Sequence, residues 1–143
     1  MTLAQDVGVQ SVRSFTAELL IRPWMDGTEI TGQLRATTTR ICGVTLELFD
    51  EEVEEVLSLR MVPTGSKNAP RGVEAELVLA PDADDPPDEV SGETIDLAAC
   101  LTEQLALALS PFSRKPGAVF EPLTPRVDPS PFAVLERLKR WKS

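Results

Sequence analysis

Long stretches of the first sixty residues alternate apolar and polar side chains, and a period of two dictates β-structure. In "FTAELLI", Phe15, Ala17, Leu19 and Ile21 share one face, as a half-buried strand requires. "RPWMDGTE" follows, and Asp26-Gly27 is a strong turn signal between two alternating runs. A hairpin with a loop longer than two residues is expected here, with Trp24 folded back over the sheet edge. The next run, "EITGQLRATTTRICGVTLELF", puts Ile30, Leu34 and Ala36 on one face. Cys42, Val44, Leu46 and Leu48 fall in the same even-numbered phase, Arg40 interrupts it, and Gly43 suits a bulge or bend. The reading is one bent strand, or two strands joined near residues 38–43, with Cys42 as a small buried residue of the sheet.

A further pair of runs continues the pattern. Val53, Leu57, Leu59 and Met61 alternate imperfectly in "DEEVEEVLSLRMVP", with acids on the opposite face early on. Val73, Ala75, Leu77 and Leu79 alternate with Glu74 and Glu76 in "VEAELVLA". The turn-rich "TGSKNAPRG" between them predicts a second hairpin. "PDADDPPDEVSGE" reads as a solvated acidic loop over 81–93: it lacks the glycine spacing and distal glutamate of a calcium loop.

"DLAACLTEQLALALSP" is the clearest helix, over residues 96–109. Asp96 can cap its start, and Ser110-Pro111 ends it. Leu97, Leu101, Leu105 and Leu109 recur every four residues, with Cys100 and Ala108 alongside, so the helix should be largely buried across the sheet. Residues 111–130 form a proline-rich loop carrying Arg114, Lys115 and Arg126. The tail "SPFAVLERLKRWKS" reads as an amphipathic helix, with Ser130 as cap, Pro131 in the first turn, and a stripe of Phe132, Leu135 and Leu138. These elements predict one α+β domain over 1–143. Its antiparallel sheet is hairpin-rich, of four to six strands, open or barrel-like. One buried helix and the C-terminal amphipathic helix pack with it.

Charge divides the chain into three parts. Residues 1–46 are neutral, residues 47–103 carry sixteen acids against three bases, and residues 104–143 carry three acids against seven bases. An acidic belt and a basic C-terminal segment suggest two surfaces with different partners. "FSRKPG" and "RLKRWK" set cations beside aromatics, a combination that grips phosphates and stacks on bases; it is also how an ordinary capped helix end looks.

Chemistry is narrowly bounded. The chain has no histidine and no tyrosine. That removes Ser-His-Asp and Cys-His catalysis, imidazole proton transfer and every histidine metal site. Structural zinc needs about four thiolate or imidazole ligands, and only Cys42 and Cys100, 58 residues apart, are present. Thr45 stands where a second cysteine would complete a C-x-x-C. A catalytic Cys42 needs a neighbour that lowers its pKa, and Arg40 shares its strand phase. "DEEVEE" reads as a charged face, and "GSK" in "TGSKNAP" lacks the upstream glycine of a phosphate loop. No metal and no cofactor are expected. The N-terminus lacks the basic start and apolar core of a secretory signal, and no run reaches the roughly 18 apolar residues of a membrane helix. With two cysteines, free thiols in the cytoplasm are the expectation.

Three segments, "RICGVTLELF", "IDLAACLTEQLALALSPFSRKPGA" and the terminal "PSPFAVLERLK", together resemble the YceD family, the large-subunit ribosomal RNA accumulation proteins. The resemblance spans roughly 30–140, is most specific at the helix with "RKPGA", and is similar to the alphaproteobacterial branch. It implies a non-enzymatic role in large-subunit ribosomal RNA accumulation and ribosome assembly, through rRNA, ribosomal proteins or both. No catalytic residues come with it. Some members carry further cysteines; here Val44 and Thr45 occupy that region, so no metal function carries over. On this reading Arg114, Lys115, Arg137, Lys139 and Arg140 contact RNA phosphates, and the acidic belt faces a basic ribosomal protein. The chain would act as a monomer or weak dimer, without DNA or membrane. Two rivals stay open. One is a protein–protein adapter that docks through residues 132–141 and touches no nucleic acid; the other is an enzyme using Cys42 or the acidic cluster.

Overall fold

The computed structural model describes residues 2–70 and 85–122. The second-hairpin strand expected over 73–80, the acids Asp82 and Asp84, and the C-terminal amphipathic helix lie outside the described residues. Within them the order is α1 (Leu3–Asp6), β1 (Ser11–Trp24), β2 (Gly27–Ile41), β3 (Leu48–Pro63), β4 (Asp88–Val90) and α2 (Leu97–Ala108).

The strands form one sheet in the order β1-β2-β3-β4. β1–β2 and β2–β3 pair antiparallel, and β4 pairs parallel to the end of β3, Met61 facing Asp88. The sheet is therefore mixed, not purely antiparallel. Among the described residues it is open rather than barrel-like. Part of the stretch expected as acidic loop, residues 88–90, is strand.

The period-two reading sets the faces correctly. Ile30, Leu34, Ala36 and Thr38 of β2 are buried on the inner face. Their partners Ile21, Ala17, Phe15 and Val12 on β1, and Leu59 and Val53 on β3, fall on the same side. Arg13 is the extra residue at a register shift in β1, a β-bulge near the end of the ladder. The β1–β2 connection is tighter than expected: Trp24 pairs with Gly27, leaving a two-residue turn of Met25 and Asp26. Met25 adopts a left-handed φ of 51°, the geometry that a two-residue hairpin requires. Trp24 packs beneath Arg60, whose guanidinium carbon lies 5.3 Å from the ring centre.

Helix α2 crosses the inner face. Asp96 caps it, accepting a bond from the Ala99 N–H at 3.0 Å. Leu105 and Leu109 enter the core with Ile30, Leu34, Ala36, Leu57 and Met61; Leu97, Cys100 and Leu101 pack beside them half-buried. The helix is less buried than its composition suggested, and Leu107 is 73% exposed. One sheet face covers one stripe of a helix, and Leu107 lies about 200° around the axis from Leu105. Thr38 is fully buried, and among the described residues its hydroxyl has no hydrogen-bond partner.

Candidate functional site

The break between the two halves of the long central run falls at residues 42–47, not at 38–43. Cys42, Val44 and Leu46 are not an alternating strand face. They belong to a turn closed by Cys42 N–H to Glu47 O at 2.8 Å and by Leu46 N–H to Cys42 O at 2.9 Å. Leu46 takes a left-handed φ of 61° and is 78% exposed. Cys42 is buried, as expected, but by turn geometry and a covering loop. The physical reason for the difference is that the backbone groups of 42–47 bond within the turn and to Ser113 of the covering loop rather than across a ladder.

The covering loop is residues 110–118, directly after α2. Arg40, the cation that interrupts the inner face, anchors it. Its Nη1 donates to Glu51 Oε2 at 2.6 Å and its Nη2 to Ser110 O at 2.6 Å. Ser113 donates its hydroxyl proton to Ile41 O, and Gly43 N–H donates back to Ser113 O at 2.8 Å. Lys115 N–H points at Cys42 Sγ at 3.3 Å, and Lys115 Nζ pairs with Glu47 at 3.0 Å. The loop then folds on itself: Ala118 N–H reaches Lys115 O at 3.0 Å, and Arg114 donates from Nε and Nη2 to Ala118 O at 3.2 and 2.7 Å. Gly117 supplies the positive φ that this turn needs, 77°. Ala118 is buried beneath it.

Cys42 Sγ is the acceptor at the centre of this tip. The Thr45 hydroxyl, then the Lys115 N–H and the Thr45 and Val44 N–H groups, lower its thiol to about 6 against the opposing effect of burial. These bonds favour the thiolate form of Cys42, and the sulfur accepts from both turn and loop. Arg40, the neighbour that its strand phase suggested, points elsewhere, at Glu51 and Ser110. Glu47 is lowered too, first by its bond to Lys115 and then by that ammonium's charge. Both cysteines are free thiols. Burial raises the Cys100 thiol, with Glu103, Asp96 and Asp88 adding to it.

Of the five cations expected to meet RNA, Arg114 and Lys115 lie on this tip. Arg137, Lys139 and Arg140 lie outside the described residues. Among the described residues, two of the five guanidinium donors of Arg114 are engaged, both by Ala118 O. Beside them Phe112 is 86% exposed, and Leu46 and Leu48 are 78% and 62% exposed. Sequence reasoning did not single out Ser113 or Glu47, because their side-chain bonds join segments about seventy residues apart; Thr45, noted only as the missing second cysteine, instead donates to Cys42 Sγ. Among the described residues no three His, Cys, Asp or Glu side chains converge on a metal site. No helix among them is long and apolar enough to cross a membrane.

Much of the acidic belt on β3 is neutralised across the outer face. Arg13 pairs with Asp50 at 3.2 Å and Arg35 with Glu54 at 2.9 Å. Below, between α2, β3 and the 85–88 segment, runs a groove of about 510 Å³ lined by Leu59, Asp85, Asp88, Glu103 and Leu107 among others.

The family model described as "Large ribosomal RNA subunit accumulation protein YceD" matches residues 30–139. No curated protein and no solved structure gives a match. The matched span takes in the turn at Cys42, the helix α2 and the "SRKPGA" loop that closes over the turn. The chain belongs to the YceD family.

Proposed function

We propose that this chain supports accumulation of large-subunit ribosomal RNA by binding, without catalysis, in the cytoplasm. The family description supplies the ribosomal connection. The observation that carries the binding step is the tip: exposed Phe112 and Arg114 sit on a loop already fixed by bonds to Ile41, Gly43 and Cys42. An aromatic face and a cation held in place before binding lose little conformational freedom when a base and a phosphate arrive. Arg114 and Lys115, with Arg137, Lys139 and Arg140, take the phosphates; ribosomal proteins are the second class of partner.

Cross-linking in cells followed by sequencing of the bound RNA tests this. Enrichment of large-subunit rRNA, reduced by Phe112→Ala and by Arg114→Glu with Lys115→Glu, is the expected result. No enrichment, together with normal rRNA levels after deletion of the gene, refutes it.

The exposed apolar side chains Leu46, Leu48 and Phe112 favour a second reading, a protein–protein adapter that touches no nucleic acid. Loss of a protein partner on Leu46→Ser or Leu135→Glu, with the charge reversals silent, would support the adapter instead.

A further inference from the structure

The groove between α2 and β3 differs from the rest of the acidic belt. Three of the five acids of β3 have cross-strand partners: Asp50 has Arg13, Glu51 has Arg40, Glu54 has Arg35. The groove gathers Asp85, Asp88 of β4 and Glu103 of α2 around about 510 Å³ of open space, and among the described residues none of the three has an ion-pair partner. Arg60, on the same wall, is committed to Glu29 at 3.1 Å and to the Trp24 ring. Leu107, 73% exposed, and the half-buried Leu59 add apolar surface to an otherwise polar lining. Unpaired carboxylates do not suit RNA, whose phosphates they repel. They suit a segment that brings cations to the carboxylates and lays its aliphatic stems against Leu107 and Leu59. The Cys100 thiol of α2, raised first by burial, feels the same field through Glu103, Asp96 and Asp88.

We infer that the groove lined by Leu59, Asp85, Asp88, Glu103 and Leu107 is a docking site for a lysine- and arginine-rich segment of a protein partner. This locates the ribosomal-protein contact of the proposed function and rests on that reading. It gives the molecule two surfaces: a tip for RNA and a groove between α2 and β3 for a basic chain. The match in chemistry is specific. Lysine and arginine bury their methylene stems against Leu107 while their charges meet Glu103, Asp85 and Asp88.

The test uses the full chain and a fluorescein-labelled synthetic peptide of alternating lysine, arginine and leucine, with binding followed by anisotropy in low and moderate salt. Asp88→Asn with Glu103→Gln is expected to weaken binding about 5-fold at low salt, and Leu107→Ser by a similar factor. All three positions face solvent, so unchanged melting curves verify folding. Glu52→Gln, on the outer face, is expected to be silent. Equal loss with Glu52→Gln, or no loss with any variant, overturns the inference. Displacement of the peptide by a single-stranded RNA oligonucleotide in the Phe112→Ala chain would place nucleic acid in the groove and also overturn it. So would a sedimentation coefficient that falls on Leu107→Ser, because the occupant would then be a second copy. Tip variants read the RNA contact separately, so failure of the groove and failure of the proposed function are distinguishable.

Discussion

Arg40 is the residue on which the tip depends, and replacing it tests the account most directly. Its guanidinium bonds Glu51 Oε2 and Ser110 O, both at 2.6 Å, with the two ionic side chains 12% and 27% exposed. Exposed ion pairs contribute about 0–1 kcal/mol, whereas removing one partner of a fully buried pair costs about 3–5 kcal/mol. The observed burial lies between these limits, and the bond to Ser110 O adds about 1 kcal/mol. Arg40→Met keeps most of the packing of the stem, so a loss of about 2.5 kcal/mol is expected. Glu51→Gln should lose about 1.5 kcal/mol, and the double variant little more than Arg40→Met alone, because the two act through one interaction. Urea unfolding monitored by circular dichroism measures these differences, with the denaturant slope unchanged. Hydrogen exchange gives a local check: the Gly43 and Lys115 N–H groups should exchange faster once Ser110 is released. A loss below about 0.5 kcal/mol for Arg40→Met, or an additive double variant, would refute the reasoning.

Three further outcomes follow from particular residues. A Cβ at Gly32 would overlap the Glu18 carbonyl oxygen, with Glu18 C at 3.0 Å and Leu19 Cα at 3.1 Å, all backbone that cannot yield locally. Gly32→Ala should therefore lose about 3 kcal/mol in the same urea assay, while Gly43→Ala, whose nearest neighbour is Ser113 O at 3.5 Å, should stay within about 0.5 kcal/mol. The Thr38 hydroxyl is buried without a partner among the described residues, so Thr38→Val should raise stability by about 1 kcal/mol; a loss would mean that the hydroxyl is satisfied in solution. The Cys42 thiol is lowered to about 6 in the folded chain and lies near 8.5 in an unfolded one. Between these values the unfolded state holds a proton that the folded state lacks, so stability rises with pH from about 6 to about 9 and is lost as pH falls through 6. Cys42→Ser should remove that rise, and an identical pH profile in the two proteins would count against the thiolate.

The alternation of apolar residues determined the inner face of the sheet. The apolar positions of β1, β2 and β3 meet on one side because a period of two leaves a strand only two faces to choose from. Helix α2 was legible to within a residue at each end, since its cap and its stop are local signals. The family was legible too, in motifs that run from the Cys42 turn to the terminal segment. What the sequence alone left open depends on contacts between distant residues. The period-two pattern at Cys42, Val44, Leu46 and Leu48 is the same whether the chain continues as a strand or turns, and the turn is stabilised by Ser113 and Lys115, about seventy residues later. The parallel pairing of β4 needs Met61 beside Asp88, a proximity that no local propensity encodes. Arg40 looked like a fault in an apolar face until Glu51 and Ser110 supplied its partners. Composition and periodicity fixed which side chains leave water. Tertiary structure decided which polar groups they meet there, and so turned Cys42 from a core residue into the acceptor that holds the tip together.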